Sequence, residues 1–178
     1  MSLSGSFNID STWTLFLDRD GVINKRIFGD YVKNPEGFEF IDGALEAINL
    51  LTPLFQRIVL VTNQQGIGKG VMSVQDLALI HEKMLAEIRD TDGRIDGIFY
   101  CPELAENDPI CRKPNMGMGL EAQKQFPEID FSKSIMVGDS PSDIEFGNRL
   151  GMRSIFIGKE DGLECYPSLI HFAKRITS

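Results

Sequence analysis

The sequence predicts an α/β protein built on a three-layer α/β/α, Rossmann-like parallel sheet. Short, nearly continuous apolar runs rich in Val, Ile, Leu and Phe recur along the chain, the mark of strands buried on both faces. Segments of helical periodicity lie between them, and strand–helix alternation argues for parallel pairing through right-handed crossovers. The 178 residues suffice for one domain with a substantial core, and no repeat, linker or change of composition divides them.

Taken in order, residues 1–11 (MSLSGSFNIDS) lack the basic start and apolar centre of a secretory signal. They are expected to form a flexible leader, followed by a single domain over 12–178. The expected strands are WTLFLD (13–18), RIVLVT (57–62), GIFYC (97–101), SIMVG (134–138) and RSIFIG (153–158). A first helix is expected over 43–55. A second covers 73–89, where Leu77, Ile80, Met84 and Ile88 fall on one stripe and Ser73 with Asp76 forms a capping-box pattern. Pro141 and Gly151 bracket a third by the proline-start, glycine-stop asymmetry, and a fourth closes the chain over 168–176. Residues 21–42 and 102–119 read as two long non-helical stretches.

Composition narrows the function classes. With 42% hydrophobic and 25% charged residues, the chain has the make-up of a globular protein rather than a disordered one. A net charge of −8 argues against unaided attraction to nucleic acid or anionic membrane, and no apolar run approaches the roughly 20 residues that span a bilayer. Cys101, Cys111 and Cys165 do not make a disulfide framework in a chain of this length. The expectation is a cytoplasmic protein with reduced, small apolar cysteines, although Cys101 and Cys111 can lie close enough to oxidise.

Ligands of an open parallel sheet bind outside the carboxyl ends of its strands, and the polar residues concentrate there. Strand one ends in Asp18 with Asp20 on the following turn. Strand two ends in Thr62-Asn63-Gln64, strand three leads to Arg112-Lys113-Pro114, and strand four leads to GDSPSD (138–143). Taken singly these are ordinary features: a turn, a helix cap, a solvated lysine, and Asp143 as the third residue of a helix capped by Ser140. Together they bring four carboxylates and one lysine to a single crevice, which repels itself without a cation. Oxygen donors without histidine favour Mg²⁺, and Thr62, Asn63, Lys113 and backbone N–H groups suit a phosphoryl group. One aspartate then serves as nucleophile and the other as proton donor and acceptor.

At these residues the sequence resembles the haloacid dehalogenase (HAD) superfamily of phosphotransferases. DRDG (18–21), Thr62-Asn63, Lys113 and GDSPSD match its four motifs in order, over 15–156. The resemblance implies Asp18 as nucleophile, Asp20 as general acid and base, and Lys113 as neutraliser of the nucleophile and phosphate charge. It implies Mg²⁺ on Asp18, the Asp20 carbonyl and Asp139, with Asp143 supporting the metal's water shell. Thr62, Asn63 and Gln64 would bind the phosphoryl group.

FEFIDGALEAI (38–48), TNQQGIGKG (62–70) and CRKPNMGM (111–118) further resemble the subfamily of histidinol-phosphate and D-glycero-D-manno-heptose 1,7-bisphosphate phosphatases. That likeness implies no separate cap domain, substrate choice shaped by loops 25–42 and 102–112, and Arg112 on a substrate phosphate or sugar oxygen. The subfamily's structural zinc is not expected. Glu103 replaces its histidine and Pro109 one cysteine, so two of four ligands are absent and the remaining thiolates leave the site open.

The expected activity is Mg²⁺-dependent hydrolysis of a small phosphate ester through an aspartyl-phosphate, for a sugar bisphosphate such as heptose 1,7-bisphosphate. The alternatives are a histidinol-phosphate phosphatase, a polynucleotide 3′-phosphatase and a non-catalytic phospho-ligand binder. The partner is a small molecule, with neither nucleic acid nor membrane, and the protein a monomer or weak homo-oligomer. His81 and His171 lack a ligand partner at i+4 and read as surface or core-edge residues, while Lys69 reads equally as a phosphate contact or a solvated lysine.

Overall fold

The computed structural model describes residues 8–178, so residues 1–7 of the expected leader lie outside the described residues. Six parallel strands form one sheet in the order β3-β2-β1-β4-β5-β6. They are β1 Thr14–Leu17, β2 Arg57–Asn63, β3 Gly97–Cys101, β4 Ser134–Gly138, β5 Arg153–Ile157 and β6 Cys165–Tyr166. The helices are α1 Ala44–Leu51, α2 Val74–Asp90, α3 Gly117–Gln125, α4 Pro141–Leu150 and α5 Leu169–Thr177. This is the three-layer α/β/α architecture expected from the sequence.

The middles of the central strands are apolar on both faces because the sheet is covered twice. Leu15, Leu17, Ile58, Leu60, Ile135 and Val137 face the layer made by α1, α2 and α5. Phe16, Val59, Val61 and Met136 face the other, where α3 contributes Met118 and Ala122 and α4 contributes Phe146. A side-chain period of two therefore sends alternate residues into two different cores. The stripe Leu77, Ile80, Met84 and Ile88 is the buried face of α2, and Ser73 and Asp76 exchange their cap hydrogen bonds at its start.

Two elements depart from expectation. Helix α3 occupies the end of the stretch read as non-helical. Its sequence GMGLEAQKQ carries two glycines and no side-chain cap, so local propensity is poor. Packing supplies what propensity lacks: a Cβ on Gly119 would meet Leu150 Cδ1 at 2.4 Å, so the glycine permits a close approach to α4. Strand β6 is two residues long, too short for any pattern, and exists by pairing with Phe156 and Ile157. Among the described residues, no helix is long and apolar enough to cross a membrane.

The strand order places the site. From β1 the chain steps to β2 and β3 on one side, then returns to build β4, β5 and β6 on the other. The order reverses at β1, where an open sheet leaves a crevice beyond its strand ends. Asp18 follows β1 there, and Asp139 follows the adjacent β4.

Candidate active site

Lys113 stands at the centre of the crevice. Its three ammonium donors reach Asp18 Oδ1 at 2.8 Å, Asp143 Oδ1 at 2.6 Å and the Val61 carbonyl at 2.8 Å. Burial alone would strip a lysine of its proton, but the two carboxylates outweigh it and hold Lys113 above its ordinary pKa. The residue arrives from the loop after β3 because Asn63 clamps its backbone. Lys113 N–H donates to Asn63 Oδ1 at 3.0 Å, and Asn63 Nδ2 donates to the Lys113 carbonyl at 3.2 Å.

Asp143 divides its two oxygens between the start of α4 and Lys113. Its Oδ2 accepts from the backbone N–H of Asp139 and of Ser140, both at 3.1 Å, and from the Ser140 hydroxyl at 2.8 Å, which caps α4. Its Oδ1 is left for Lys113. The start of α4 and the buried Lys113 ammonium are thus joined through one carboxylate.

Asp20 is held by a second set of donors. Arg19 Nη2 reaches both its oxygens, at 3.0 and 3.2 Å, while Asn24 Nδ2 and Gln64 Nε2 each donate at 2.9 Å. Burial pushes the Asp20 carboxyl up, but the Arg19 guanidinium and these hydrogen bonds together hold it below the usual carboxylate range. Arg19 is itself wholly buried and lies 3.2 Å from His81 Nε2 through Nη1. Burial, with Arg19 beside it, brings His81 down to about 3. The imidazole is therefore neutral, and since arginine only donates, Nε2 is the acceptor. His81, a surface or core-edge residue by sequence, is buried and forms the far end of the assembly that orients Asp20.

Asp18, Asp139 and Asp143 each bring a carboxylate oxygen into a group spanning no more than 4.8 Å. Burial and the neighbouring Asp143 charge push Asp18 up to about 8, and burial likewise takes Asp139 to about 6 against the pull of Arg26. Such a cluster asks for positive charge. Arg26 supplies some of it, with Nη2 2.8 Å from Asp139 Oδ1 and 3.4 Å from the Asp20 carbonyl. The donors are all hard oxygens, the set Mg²⁺ takes, and an arginine already answers their demand for a cation. The residues fit the metal.

A cavity of about 300 Å³ opens over these groups, lined by Asp18, Asp20, Asn63, Gln64, Arg112 and Lys113. Arg26, Ile27 and Tyr31 from the loop after β1 form its outer wall. The Arg112 Nη1 atom is buried without a partner. Thr62 lies fully buried beneath the floor, its hydroxyl accepting from Gln64 Nε2 at 2.8 Å. The Lys69 ammonium sits 5.4 Å from the centre of the Tyr31 ring.

One expectation is corrected here. Cys101 and Cys111 are not free thiols but form a disulfide, with Cα atoms 5.2 Å apart. The pair is ten residues apart in sequence and joins the end of β3 to the residue preceding Arg112, so the intervening loop is anchored by a covalent bond rather than by packing and hydrogen bonds alone.

Comparison with known proteins gives this arrangement a family. The HAD-hydrolase-like family matches residues 110–164. A D-glycero-alpha-D-manno-heptose-1,7-bisphosphate 7-phosphatase of Mycobacterium bovis is 42% identical over 138 residues, covering 78% of this chain and 73% of its own. The beta-anomer phosphatase of Haemophilus influenzae is 41% identical over 139 residues, covering 75% and 74%. The chain belongs to the HAD-like phosphatases. The crystal structure of the B. bronchiseptica D,D-heptose 1,7-bisphosphate phosphatase with magnesium and phosphate superposes with a TM-score of 0.84 at 29% identity, covering 92% of this chain and 97% of that one. As a HAD-like phosphatase the protein is a phosphoric monoester hydrolase.

In this HAD-like phosphatase the acidic motif also depends on its glycine. Gly21 has φ +86°, and a Cβ there would lie 1.8 Å from Asp139 Oδ2. Gly21→Ala is expected to push Asp139 from its place and reduce kcat on the order of 100-fold, since displacements of about 1 Å at a site have that effect. Steady-state kinetics alongside circular dichroism would check it; a folded variant with wild-type kcat would contradict the packing described.

Arg19, Asn24 and Arg26 were not singled out by sequence reasoning. Arg19 and Asn24 lie inside DRDGVIN (18–24), where an arginine set between two aspartates was the available signal. Arg26 carried none, because only the return of the loop after β1 brings it to Asp139, 113 residues away in sequence.

Proposed function

We propose that this phosphatase hydrolyses a sugar bisphosphate of the D-glycero-D-manno-heptose 1,7-bisphosphate type, using Asp18 as nucleophile and Mg²⁺ as cofactor. The observation that carries the reading is the bond from Lys113 to Asp18. A buried carboxylate is kept in place, and its charge met, at the floor of a pocket whose other wall offers Asp20. The pocket's size suits one small ester, and Arg112 and Arg26 on its rim suit a second anionic group.

Asp18 attacks phosphorus as the carboxylate, which a bound divalent cation beside Lys113 would favour over the protonated form of the metal-free site. An Asp18–phosphoryl bond forms, and the ester P–O bond breaks. Asp20, held ionised by Arg19 in the free site, takes up a proton as the negative charge of the bound ester raises its pKa, and gives that proton to the departing oxygen. Once the sugar has left, the Asp20 carboxylate takes a proton from water, which attacks phosphorus and releases phosphate from Asp18. Arg19, Asn24 and Gln64 hold Asp20 on the side of the pocket facing this reaction. Lys113 offsets charge on Asp18 and on the phosphoryl oxygens, and Asn63 fixes the height of Lys113. Mg²⁺, when bound, would be held by Asp18, Asp139 and the Asp20 carbonyl and would draw charge from the phosphoryl oxygens.

A substrate panel tests the proposal. Heptose 1,7-bisphosphate as each anomer, histidinol phosphate and a 3′-phosphorylated oligonucleotide are ranked by kcat/KM with Mg²⁺ present. A heptose bisphosphate is expected to lead by at least about tenfold, the effect of about 1.4 kcal/mol in the transition state. A lead for histidinol phosphate, or steep loss of activity with salt on the oligonucleotide, would overturn it.

A further inference from the structure

We infer that Arg26 is a built-in counter-ion that competes with the divalent cation for the same oxygens, so that metal loading releases its guanidinium toward the substrate. The inference rests on the proposed placement of Mg²⁺ and deepens it.

One nitrogen of Arg26 engages two atoms from separate strand ends, Asp139 Oδ1 at 2.8 Å and the Asp20 carbonyl at 3.4 Å. Asp139 and the Asp20 carbonyl are two of the three groups assigned to the metal. Mg²⁺ approaches its oxygens to about 2.0–2.1 Å and demands near-ideal geometry, which a guanidinium held on the same carboxylate and the same carbonyl opposes. Two cations drawn to one oxygen also repel each other. Metal binding therefore draws Asp139 and the Asp20 carbonyl away from Arg26.

The pair is built to part. Its side chains are 38% and 16% exposed, a setting in which an ion pair is worth little, unlike the buried Lys113 pairs. The backbone nearby is anchored: Asn24 donates to Asp20 at 2.9 Å and to the Lys25 carbonyl at 3.1 Å, and Lys25 N–H donates to the Glu39 carbonyl at 2.8 Å. Movement is thus confined to the Arg26 side chain. Since Arg26 also lines the pocket, its released guanidinium stays tethered over the ester and faces the same space as Arg112. Arg26 is in this sense a positioning and specificity residue whose availability depends on the metal.

The test uses Mn²⁺ alone, with no phosphate ester present, and reads free ion by electron paramagnetic resonance. Wild type, Arg26→Gln, Arg112→Gln and Asp139→Asn are compared. Arg26→Gln is expected to bind Mn²⁺ about three- to fivefold more tightly, the upper part of the range for an exposed ion pair removed from competition. Arg112→Gln, which removes the same charge from the pocket wall without touching Asp139, is expected to stay within about twofold of wild type. An Arg26→Gln affinity equal to or weaker than wild type overturns the inference, as does equal tightening in Arg112→Gln. Asp139→Asn is expected to weaken binding more than tenfold, as loss of a charged ligand does. If it binds like wild type, the metal lies elsewhere, and the site assignment itself has failed together with the inference. Weakening there without tightening in Arg26→Gln removes the inference alone.

Discussion

Asp18→Asn is expected to abolish turnover while making the metal-free protein more stable. An amide cannot form the covalent bond to phosphorus, and loss of a nucleophile that works with its partners as a unit reduces kcat by on the order of 10⁴-fold or more. The stability effect has the opposite sign for a physical reason. Burial, with the Asp143 charge beside it, moves Asp18 from 3.8 to about 8. Between those values the unfolded chain has released a proton that the native chain retains, so this group makes stability fall as pH rises through the window. Asparagine has no such proton. At pH 8 in chelator the variant should melt higher by about 2–4 °C for each kcal/mol relieved, and the gap should vanish near pH 4. Activity within tenfold of wild type would remove Asp18 as nucleophile, and a variant melting lower at pH 8 would refute the electrostatic account.

Lys113→Met should have the opposite effect on stability and a comparable one on catalysis. The substitution preserves much of the volume but leaves Asp18 and Asp143 buried with no cation between them. Breaking a buried pair by deleting one partner costs about 3–5 kcal/mol, which in a chain of this size lowers Tm by roughly 10 °C. Turnover should fall by on the order of 10³-fold as the transferring charge loses its donor. Adding Asp143→Asn removes one of the stranded charges and keeps a group that can bond at the start of α4. The double variant should recover a large part of the stability and none of the turnover, as chemical unfolding and kinetics would show. Recovery of both, or a single variant as stable as wild type, would mean that Lys113 does not hold the charges together.

The contrast between Lys113 and Arg26 explains how both cations serve one acidic cluster. Lys113 is buried, uses every donor and belongs to the permanent structure. Arg26 is half-exposed and bonded to oxygens that a divalent ion would take. Burial decides which cation stays and which yields.

Much of this was legible in the chain because the relevant signals are local. Continuous apolar strands, the α2 stripe and the Ser73 and Ser140 caps follow from periodicity and short-range hydrogen bonding, and the structure reproduces them within a residue or two at most ends. Asp18, Asp20, Lys113, Asp139 and Asp143 were legible as a set because each follows a strand, and parallel strands deliver their ends to one edge. What escaped was what depends on packing between distant segments. Helix α3 is weak in its own sequence and is made by a glycine that lets α4 approach. Strand β6 exists only through its neighbour. The Cys101–Cys111 bond needs the loop between them to turn back, which spacing leaves open.

The amino-acid sequence by itself determined the parallel sheet, the edge at which chemistry gathers and the residue types that gather there, since these rest on side-chain period and on the chain direction of each strand. Only the tertiary structure decided the pairings: Arg19 with Asp20 and His81, Asn63 with the Lys113 backbone, and Arg26 with Asp139. Hydrogen bonds and ion pairs act over about 3 Å, and closeness on that scale between residues up to 113 positions apart is created by the fold alone.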